Sequence, residues 1–393
     1  MKKLGIGVVG FGWMGQTHSR SYRRIPMHFP ERAFEPELVV CADVVPARRE
    51  EALRAFGFRE AIPDWRDVIR HPGVDVVTIT APNSLHVEIV EAAAEAGKHI
   101  FCEKPVGGTP QQTARAEAAA RRAGVITGVG YNFRWAPMIQ YARRLIGEGR
   151  LGTITNYCGR FFSMYGSDPL GLLSWRFLRG QAGYGASSDL LSHSIDLAHV
   201  LVGPIARVVA TGETFIRERP LPKPGRGTHY DRGAPDDPTG SVTNEDYVGA
   251  LVAFANGARG VFEASRTILG PESQNAFEIY GTAGALTWDF QRMNELQVYM
   301  PDKAASHSGF TTVFSGDRYP HHGRFVPGAA NGIGYEELKA IEAYEFLSSV
   351  ARGEPARPSF ADALEVVKVQ DAMLRSWEHG RWEDVGPVRD AAP

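Results

Sequence analysis

The chain of 393 residues predicts two domains in series: an α/β domain built on a doubly wound parallel sheet (a Rossmann domain), then an α+β domain with a large, mostly antiparallel open sheet. Three observations lead there. A short apolar run leads straight into Gly10-Phe11-Gly12-Trp13-Met14-Gly15. Apolar runs and helical segments then alternate five times as far as residue 129, as parallel strands joined by helical crossovers do. From Tyr131 onward that alternation gives way to runs of strand-forming residues. The domains are therefore 1–130 and 131–393, and a prior of about 150 residues per domain accommodates two.

Residues 4–9, Leu-Gly-Ile-Gly-Val-Val, read as a strand buried on both faces. Residues 16–24 read as helix, so the G-x-G-x-x-G lies between strand and helix, the context in which it binds a dinucleotide. Gly10 permits the tight turn, Gly12 lets backbone approach a pyrophosphate, and Gly15 permits close helix–strand packing. The helix N-terminus presents free N–H groups to the phosphates. Strand 38–42 ends at Asp43, whose carboxylate can accept from the adenosine ribose hydroxyls and would repel a 2′-phosphate. This favours NAD over NADP, although Arg48 and Arg49 follow closely. The offset from the glycines exceeds the usual ~20 residues. Residues 25–37, with Met27, His28, Phe29 and Phe34, accordingly read as an inserted ordered loop near the cofactor's rim.

Helix 46–55, a short segment at Asp64, strand 74–80, helix 87–96, strand 100–102, helix 110–123 and strand 125–129 complete the alternation. Such sheets bind ligands at the carboxyl ends of their strands. Asp43, Asn83, Glu103 and Lys104 all fall at such ends. A lysine there, beside Pro105, is aimed into the crevice, whereas most lysines decorate helix surfaces.

In the second domain a helix at 137–146 follows Asn132-Phe-Arg134-Trp135, and strands are predicted at 154–163, 208–216, 247–254, 259–266, 276–280 and 295–299. Gly281 to Gly284 reads as a turn. Residues 221–243, rich in proline, glycine and charge, read as a long surface loop, a lid or an oligomer arm. Two amphipathic helices, 336–351 and 360–379, close the chain with Leu338, Ile341, Leu347 and Val350 facing the core.

Composition sets limits on partners. Hydrophobic content of 43%, charged content of 22% and a net charge of −2 are ordinary for a soluble globular protein and give no footing for nucleic acid or an acidic membrane. No apolar run approaches the ~20 residues that span a bilayer. Three widely spaced cysteines, Cys41, Cys102 and Cys158, suit a reducing cytoplasm.

The stretch from Gly183 to Asp196 carries the chemistry. Its glycines open a helix on which Asp189, His193 and Asp196 stand at i, i+4 and i+7 on one face. A carboxylate and an imidazole one turn apart can position each other and set each other's protonation. A cap plus a core histidine is the plainer reading of the same residues. A metal site from Asp189, His193, His199, His321 and His322 matches no standard spacing, so no metal is expected.

Taken together, the motifs resemble the Gfo/Idh/MocA family (glucose–fructose oxidoreductase, inositol dehydrogenase) of nicotinamide-dependent oxidoreductases. The matching residues are Gly10-x-Gly12-x-x-Gly15, Pro82-Asn83-x-x-His86, Glu103-Lys104-Pro105, Trp175-Arg176 and Gly185-x-x-x-Asp189-x-x-x-His193-x-x-Asp196, in family order over nearly the whole chain. The segment 173–177 and the residues around Met27 look most like the levoglucosan-oxidising and related sugar dehydrogenases of that family.

The resemblance implies roles. Lys104, Asp189 and His193 would be catalytic: Lys104 stabilising an alkoxide and relaying a proton, Asp189 orienting substrate, His193 as acid/base. Gly10, Phe11, Gly12, Trp13, Met14, Gly15, Asp43, Pro82, Asn83, His86, Glu103, Lys104, Trp175 and Arg176 would surround the cofactor, with Trp175 and Arg176 closing over it. Lys104, Asn132, Arg134, Asp189 and His193 would meet a sugar, anhydrosugar or inositol. Glu103 or its neighbours would hold Lys104 cationic, Asp196 would be structural, and the second-domain sheet would build a homodimer or homotetramer. Two positions depart from the family pattern, Leu191 where a small residue is usual and Ala81 where threonine is, so substrate identity does not carry over. Two rival readings are a glycosidase that oxidises its substrate transiently with bound NAD, and a non-catalytic dinucleotide or sugar sensor.

Overall fold

The computed structural model describes residues 1–223, 230–301 and 308–388. The amino-terminal half runs β1 (Lys2–Val9), α1 (Trp13–His28), β2 (Phe34–Ala42), α2 (Pro46–Phe56), β3 (Glu60–Ile62), α3 (Trp65–Arg70), β4 (Val76–Ile79), α4 (Asn83–Glu95), β5 (His99–Cys102), α5 (Pro110–Ala123) and β6 (Thr127–Val129). Its six strands are all parallel in the order β3-β2-β1-β4-β5-β6. The order reverses between β1 and β4, which opens the crevice beyond their carboxyl ends where such sheets take ligands. Local chemistry agrees with these elements. Thr109 caps α5 through its hydroxyl with a proline in the first turn, and Gly124 ends that helix in the left-handed region.

The second half adds α6 (Pro137–Gly147), β7 (Ile154–Ser163), the short helices α7 (Arg179–Ala182) and α8 (Ala186–Asp189), α9 (Leu191–Leu201), β8 (Ile205–Glu213), β9 (Glu218–Pro220), β10 (Thr239–Ser241), β11 (Tyr247–Phe254), β12 (Arg259–Ser265), β13 (Ser273–Gly281), β14 (Ala285–Asp289), β15 (Glu295–Tyr299) and β16 (Thr311–Phe314). Then come α10 (Tyr335–Arg352), α11 (Phe360–His379) and β17 (Glu383–Asp384). The large sheet has nine strands, β16-β15-β14-β13-β7-β12-β11-β8-β17, antiparallel except for the β7–β12 pair. Alternation shows directly in β11, where every second residue is buried. The buried face packs on α9 and α11, while α10 lies along α1 of the first domain.

Four expectations are corrected. Residues 25–37 are not a loop at the cofactor's rim. The helix α1 continues to His28 and β2 starts at Phe34, paired with Lys2 at the amino end of β1, opposite the crevice. There Phe29 stacks on Tyr344 of α10 with ring centroids 3.9 Å apart, so the aromatic residues serve packing between helices. Residues 221–243 are not one irregular loop: Thr239–Ser241 pair with β9, and Arg232 bridges to Gly171. Residues 224–229 of that segment lie outside the described residues. The helix opening at Gly183 is not continuous, because α8 ends at Asp189 and α9 starts at Leu191. Finally, β3, β9, β14, β16 and β17 were not expected; they are short, and their pairing partners rather than their own residues define them.

Candidate active site

The glycine loop is shaped as its residues require. Gly10 has φ +89°, and a Cβ there would sit 2.8 Å from the Thr80 carbonyl oxygen. A Cβ on Gly15 would lie 2.1 Å from the Gly10 oxygen. A Cβ on Gly12 would meet nothing within 4 Å, so this backbone borders open space at the start of α1. Asp43 receives the Phe11 N–H at 2.7 Å and the Val45 N–H at 2.8 Å, which fixes its carboxylate beside the loop. Arg48 approaches that carboxylate at 3.4 Å and Arg49 donates to the Asp43 carbonyl. The Phe11 side chain turns into the core against Phe56 and Phe58. Trp13, 62% exposed, stacks on Tyr335 at 5.7 Å, and the Tyr335 hydroxyl reaches the Met14 sulfur. A glycine-lined concavity at a helix N-terminus, flanked by an oriented acid, fits a dinucleotide.

Across the crevice, Pro82 caps α4 and Asn83 Nδ2 donates to the Ala182 carbonyl of the second domain. His86 is buried, with Nδ1 2.8 Å from the Pro105 oxygen and Nε2 2.8 Å from the Ala81 oxygen. It joins the two crevice loops.

Lys104 and Asp189 pair directly, and the charges of both act on His193 in α9. Lys104 Nζ donates to the Asp189 carbonyl at 2.7 Å and to Oδ1 at 2.8 Å. Tyr165 donates its hydroxyl to Oδ2 at 2.9 Å, and Arg176 Nη1 is 3.5 Å from Oδ1. Burial would push the Asp189 carboxyl up; Lys104 and Arg176 outweigh it and hold the group well below the ordinary carboxylate range. The expected mutual positioning of Asp189 and His193 is therefore not what forms, since the break at Leu190 turns the carboxylate toward Lys104. The His193 ring packs edge-on against Phe133 (4.8 Å) and Tyr131 (5.7 Å) and beside Phe161 (5.9 Å). Its Nδ1 is buried without a hydrogen-bond partner among the described residues. Burial first, then the charges of Lys104 and Lys339, push the imidazole well below its usual value, so it is neutral at pH 7.

Trp175 and Arg176 form a short turn with the guanidinium 4.7 Å over the indole. The Arg176 carbonyl accepts from Asn244 at 3.0 Å and from Arg266 at 3.2 Å, and Arg266 is itself paired with Asp246 at 2.8 Å with both side chains fully buried. That buried pair fixes the turn that presents Arg176 to Asp189.

Two residues expected to meet substrate, Arg134 and Asn132, differ in their partners. Arg134 makes a buried bidentate pair with Asp196 and also reaches Asp362, which ties α9 to the start of α11. Asn132 is buried with its Nδ2 unpartnered. Among the described residues the Lys104 ammonium pairs with Asp189 and not with Glu103. The Glu103 carboxylate takes His18 Nε2 and Lys339 Nζ at 2.7 Å each, while Lys339 also meets Glu342 at 3.0 Å. Sequence reasoning missed Tyr165, His18, Lys339 and Glu342. A lysine and a glutamate inside the apolar register of α10 were the available signal for the last two.

Residues 4–131 match the family described as "Oxidoreductase family, NAD-binding Rossmann fold" and residues 139–287 match the "GFO/IDH/MocA C-terminal domain". Levoglucosan dehydrogenase of Pseudarthrobacter phenanthrenivorans is 39% identical over 99% of this chain and 100% of its own. Inositol 2-dehydrogenase of Rhizobium meliloti is 25% identical over 94% of this chain and 96% of its own. A solved levoglucosan dehydrogenase in complex with NADH superposes with a TM-score of 0.92 at 38% identity, covering 98% of this chain and 100% of that one. An NAD binding oxidoreductase from Klebsiella pneumoniae superposes with a TM-score of 0.91 at 36% identity, over 98% and 99% of the two chains. With both halves matched and a relative 39% identical end to end, the chain belongs to the Gfo/Idh/MocA family of oxidoreductases.

Proposed function

We propose that this protein is an NAD-dependent dehydrogenase acting on a secondary hydroxyl of a sugar or anhydrosugar, with inositols as the neighbouring substrate class. The observation that carries the reading is the pairing of Lys104, at the end of β5, with Asp189, beside a neutral His193 on which both charges act. The full-length likeness to levoglucosan dehydrogenase supports the substrate class. Asp43 supports NAD, since a 2′-phosphate beside its fixed carboxylate would be repelled.

NAD, when bound, supplies the acceptor for the two electrons and the hydrogen that leave the substrate carbon. His193 takes the hydroxyl proton, for which its neutral form is the competent one. Lys104, anchored by Asp189, places a positive charge against the alkoxide as it forms. Asp189, kept ionised and turned by Tyr165, orients a neighbouring substrate hydroxyl.

The test follows absorbance at 340 nm with NAD⁺ or NADP⁺ and a panel of anhydrosugars, monosaccharides and inositols. Reduction of NAD⁺ by one class, abolished in Lys104→Ala and lowered by roughly 10²–10⁴-fold in His193→Ala, is expected. Glycoside cleavage without net NADH would instead establish the transient-oxidation reading, and dinucleotide binding without turnover the sensor. We also propose that a second copy covers the outer sheet face, where Leu251 and Val261 are exposed on adjacent strands, giving a homodimer or homotetramer. Light scattering on the purified protein reads the stoichiometry. The three free cysteines support a reducing, cytoplasmic setting.

A further inference from the structure

Behind Lys104 lies a buried charged cluster that the reaction above leaves unused. His18 comes from α1, Glu103 from the end of β5, and Lys339 and Glu342 from α10. Lys339 Nζ donates to Glu103 Oε1 at 2.7 Å and to Glu342 Oε2 at 3.0 Å, and its side chain is 1% exposed. The other Glu103 oxygen, Oε2, takes the Lys104 backbone N–H at 3.3 Å. Room for that oxygen exists only because residue 130 is glycine, where a Cβ would lie 2.5 Å from it.

Burying an ammonium costs several kcal/mol unless it is compensated, and an apolar residue of similar length fills such a position as well or better. On a helix whose neighbouring positions are Leu338, Ala340 and Ile341, all at 0% exposure, packing alone does not account for a lysine. Its position does. Lys339 holds the carboxylate whose other oxygen takes the Lys104 backbone N–H, and its charge is among those that lower the His193 pKa.

We propose that Lys339 is a positioning residue for the dehydrogenase reaction, clamping Glu103 against the Lys104 backbone and contributing a fixed buried positive charge that His193 feels. The proposal rests on the function proposed above. The charges that act on His193 are those of Lys104 and Lys339, which favour the neutral imidazole, and of Glu103 and Asp189, which oppose them; the rings of Tyr131, Phe133 and Phe161 pack on it.

The experiment is a histidine-selective NMR titration of the full chain without cofactor, with the His193 signal assigned by His193→Asn. It is paired with kcat/KM for sugar oxidation against pH. Lys339→Met keeps length and removes charge, so the His193 pKa and the acid limb of kcat/KM should both rise by about one unit or more. Lys339→Arg should restore both. Glu103→Gln removes the opposing charge and should move both downward, which keeps the test decisive if Lys339→Met does not fold. A His193 titration unmoved in Lys339→Met, or raised in Glu103→Gln, overturns the coupling while leaving the reaction standing. Shifts of the expected sign in a protein whose wild type oxidises no sugar support the coupling and count against the reaction.

Discussion

Gly15 and His193 show how far single residues are constrained. A methyl group on Gly15 meets the Gly10 carbonyl at 2.1 Å, and both partners are backbone, so nothing nearby can yield. Gly15→Ala should abolish NAD⁺ binding measured by calorimetry, whereas Gly12→Ala, whose Cβ meets nothing, should fold normally and weaken binding only through lost access for the pyrophosphate. His193 was legible as a candidate proton carrier from its spacing. That its ring is held neutral by an aromatic pocket and two lysines was not legible, because those groups come from four separate segments. The consequence is a pH profile. Oxidation needs the neutral ring, and its pKa lies below 6.5, so kcat/KM should stay level as pH falls through 6.5 and decline only below it. A decline centred at or above 6.5 would show that another group is the base.

At the scale of elements, the break between α8 and α9 decides what the carboxylate of Asp189 does. A straight helix would place Asp189 above His193; the break at Leu190 delivers it to Lys104 and Tyr165. Tyr165→Phe removes one hydrogen bond from that carboxylate while Lys104 and Arg176 keep it ionised. We expect KM for the sugar to rise with little change in thermal stability, read by steady-state kinetics and a melting curve. The ion pair of Arg134 with Asp196 and Asp362 has the opposite character, holding α9 to α11. Arg134→Leu takes the bidentate partner from the buried Asp196, while Asp362 keeps Ser359 and Arg357. Breaking one side of a buried pair costs about 3–5 kcal/mol, so the urea midpoint should fall sharply. A small change in midpoint accompanied by a large rise in KM would return Arg134 to the substrate. No periodicity in residues 131–135 distinguishes these two roles, because both ask for a buried arginine.

Over the whole molecule, the second domain's last helices reach back across the first. The helix α10 packs along α1, and Lys339 reaches Glu103 at the end of β5, so the last helices brace the strand that carries Lys104. Burial also sets the molecule's response to acid. His18, His86, His193, His199 and His321 all have pKa values lowered by burial, the last two to about 4. They stay neutral in the folded chain while the unfolded chain takes up protons below about 6.5. Stability contributed by these groups is therefore present above pH 6.5 and lost as pH falls below it. Glu342, pushed up to about 8, together with Asp196 and Glu345, works in the other direction, but the histidines outnumber them. The melting temperature without cofactor should fall between pH 6.5 and 5; a flat profile there would mean that these histidines are charged in the fold.

What the sequence determined alone is what local backbone rules and short motifs encode. The glycine loop, the alternation that makes a parallel sheet, the capped helix α5 and the lysine at the end of β5 each follow from residues within a few positions of one another. The family pattern likewise named Lys104, Asp189 and His193 together. Tertiary structure decided everything that depends on which distant groups share a buried space. It turned Asp189 to Lys104, set Arg134 against Asp196 and Asp362, drew the residues around Phe29 to the far end of the sheet, and placed Lys339 behind Glu103. The physical reason is that a buried charge is tolerable only beside its partner. That partner is selected by packing across the fold, over separations of 62 residues for Arg134 and Asp196 and 236 for Lys339 and Glu103.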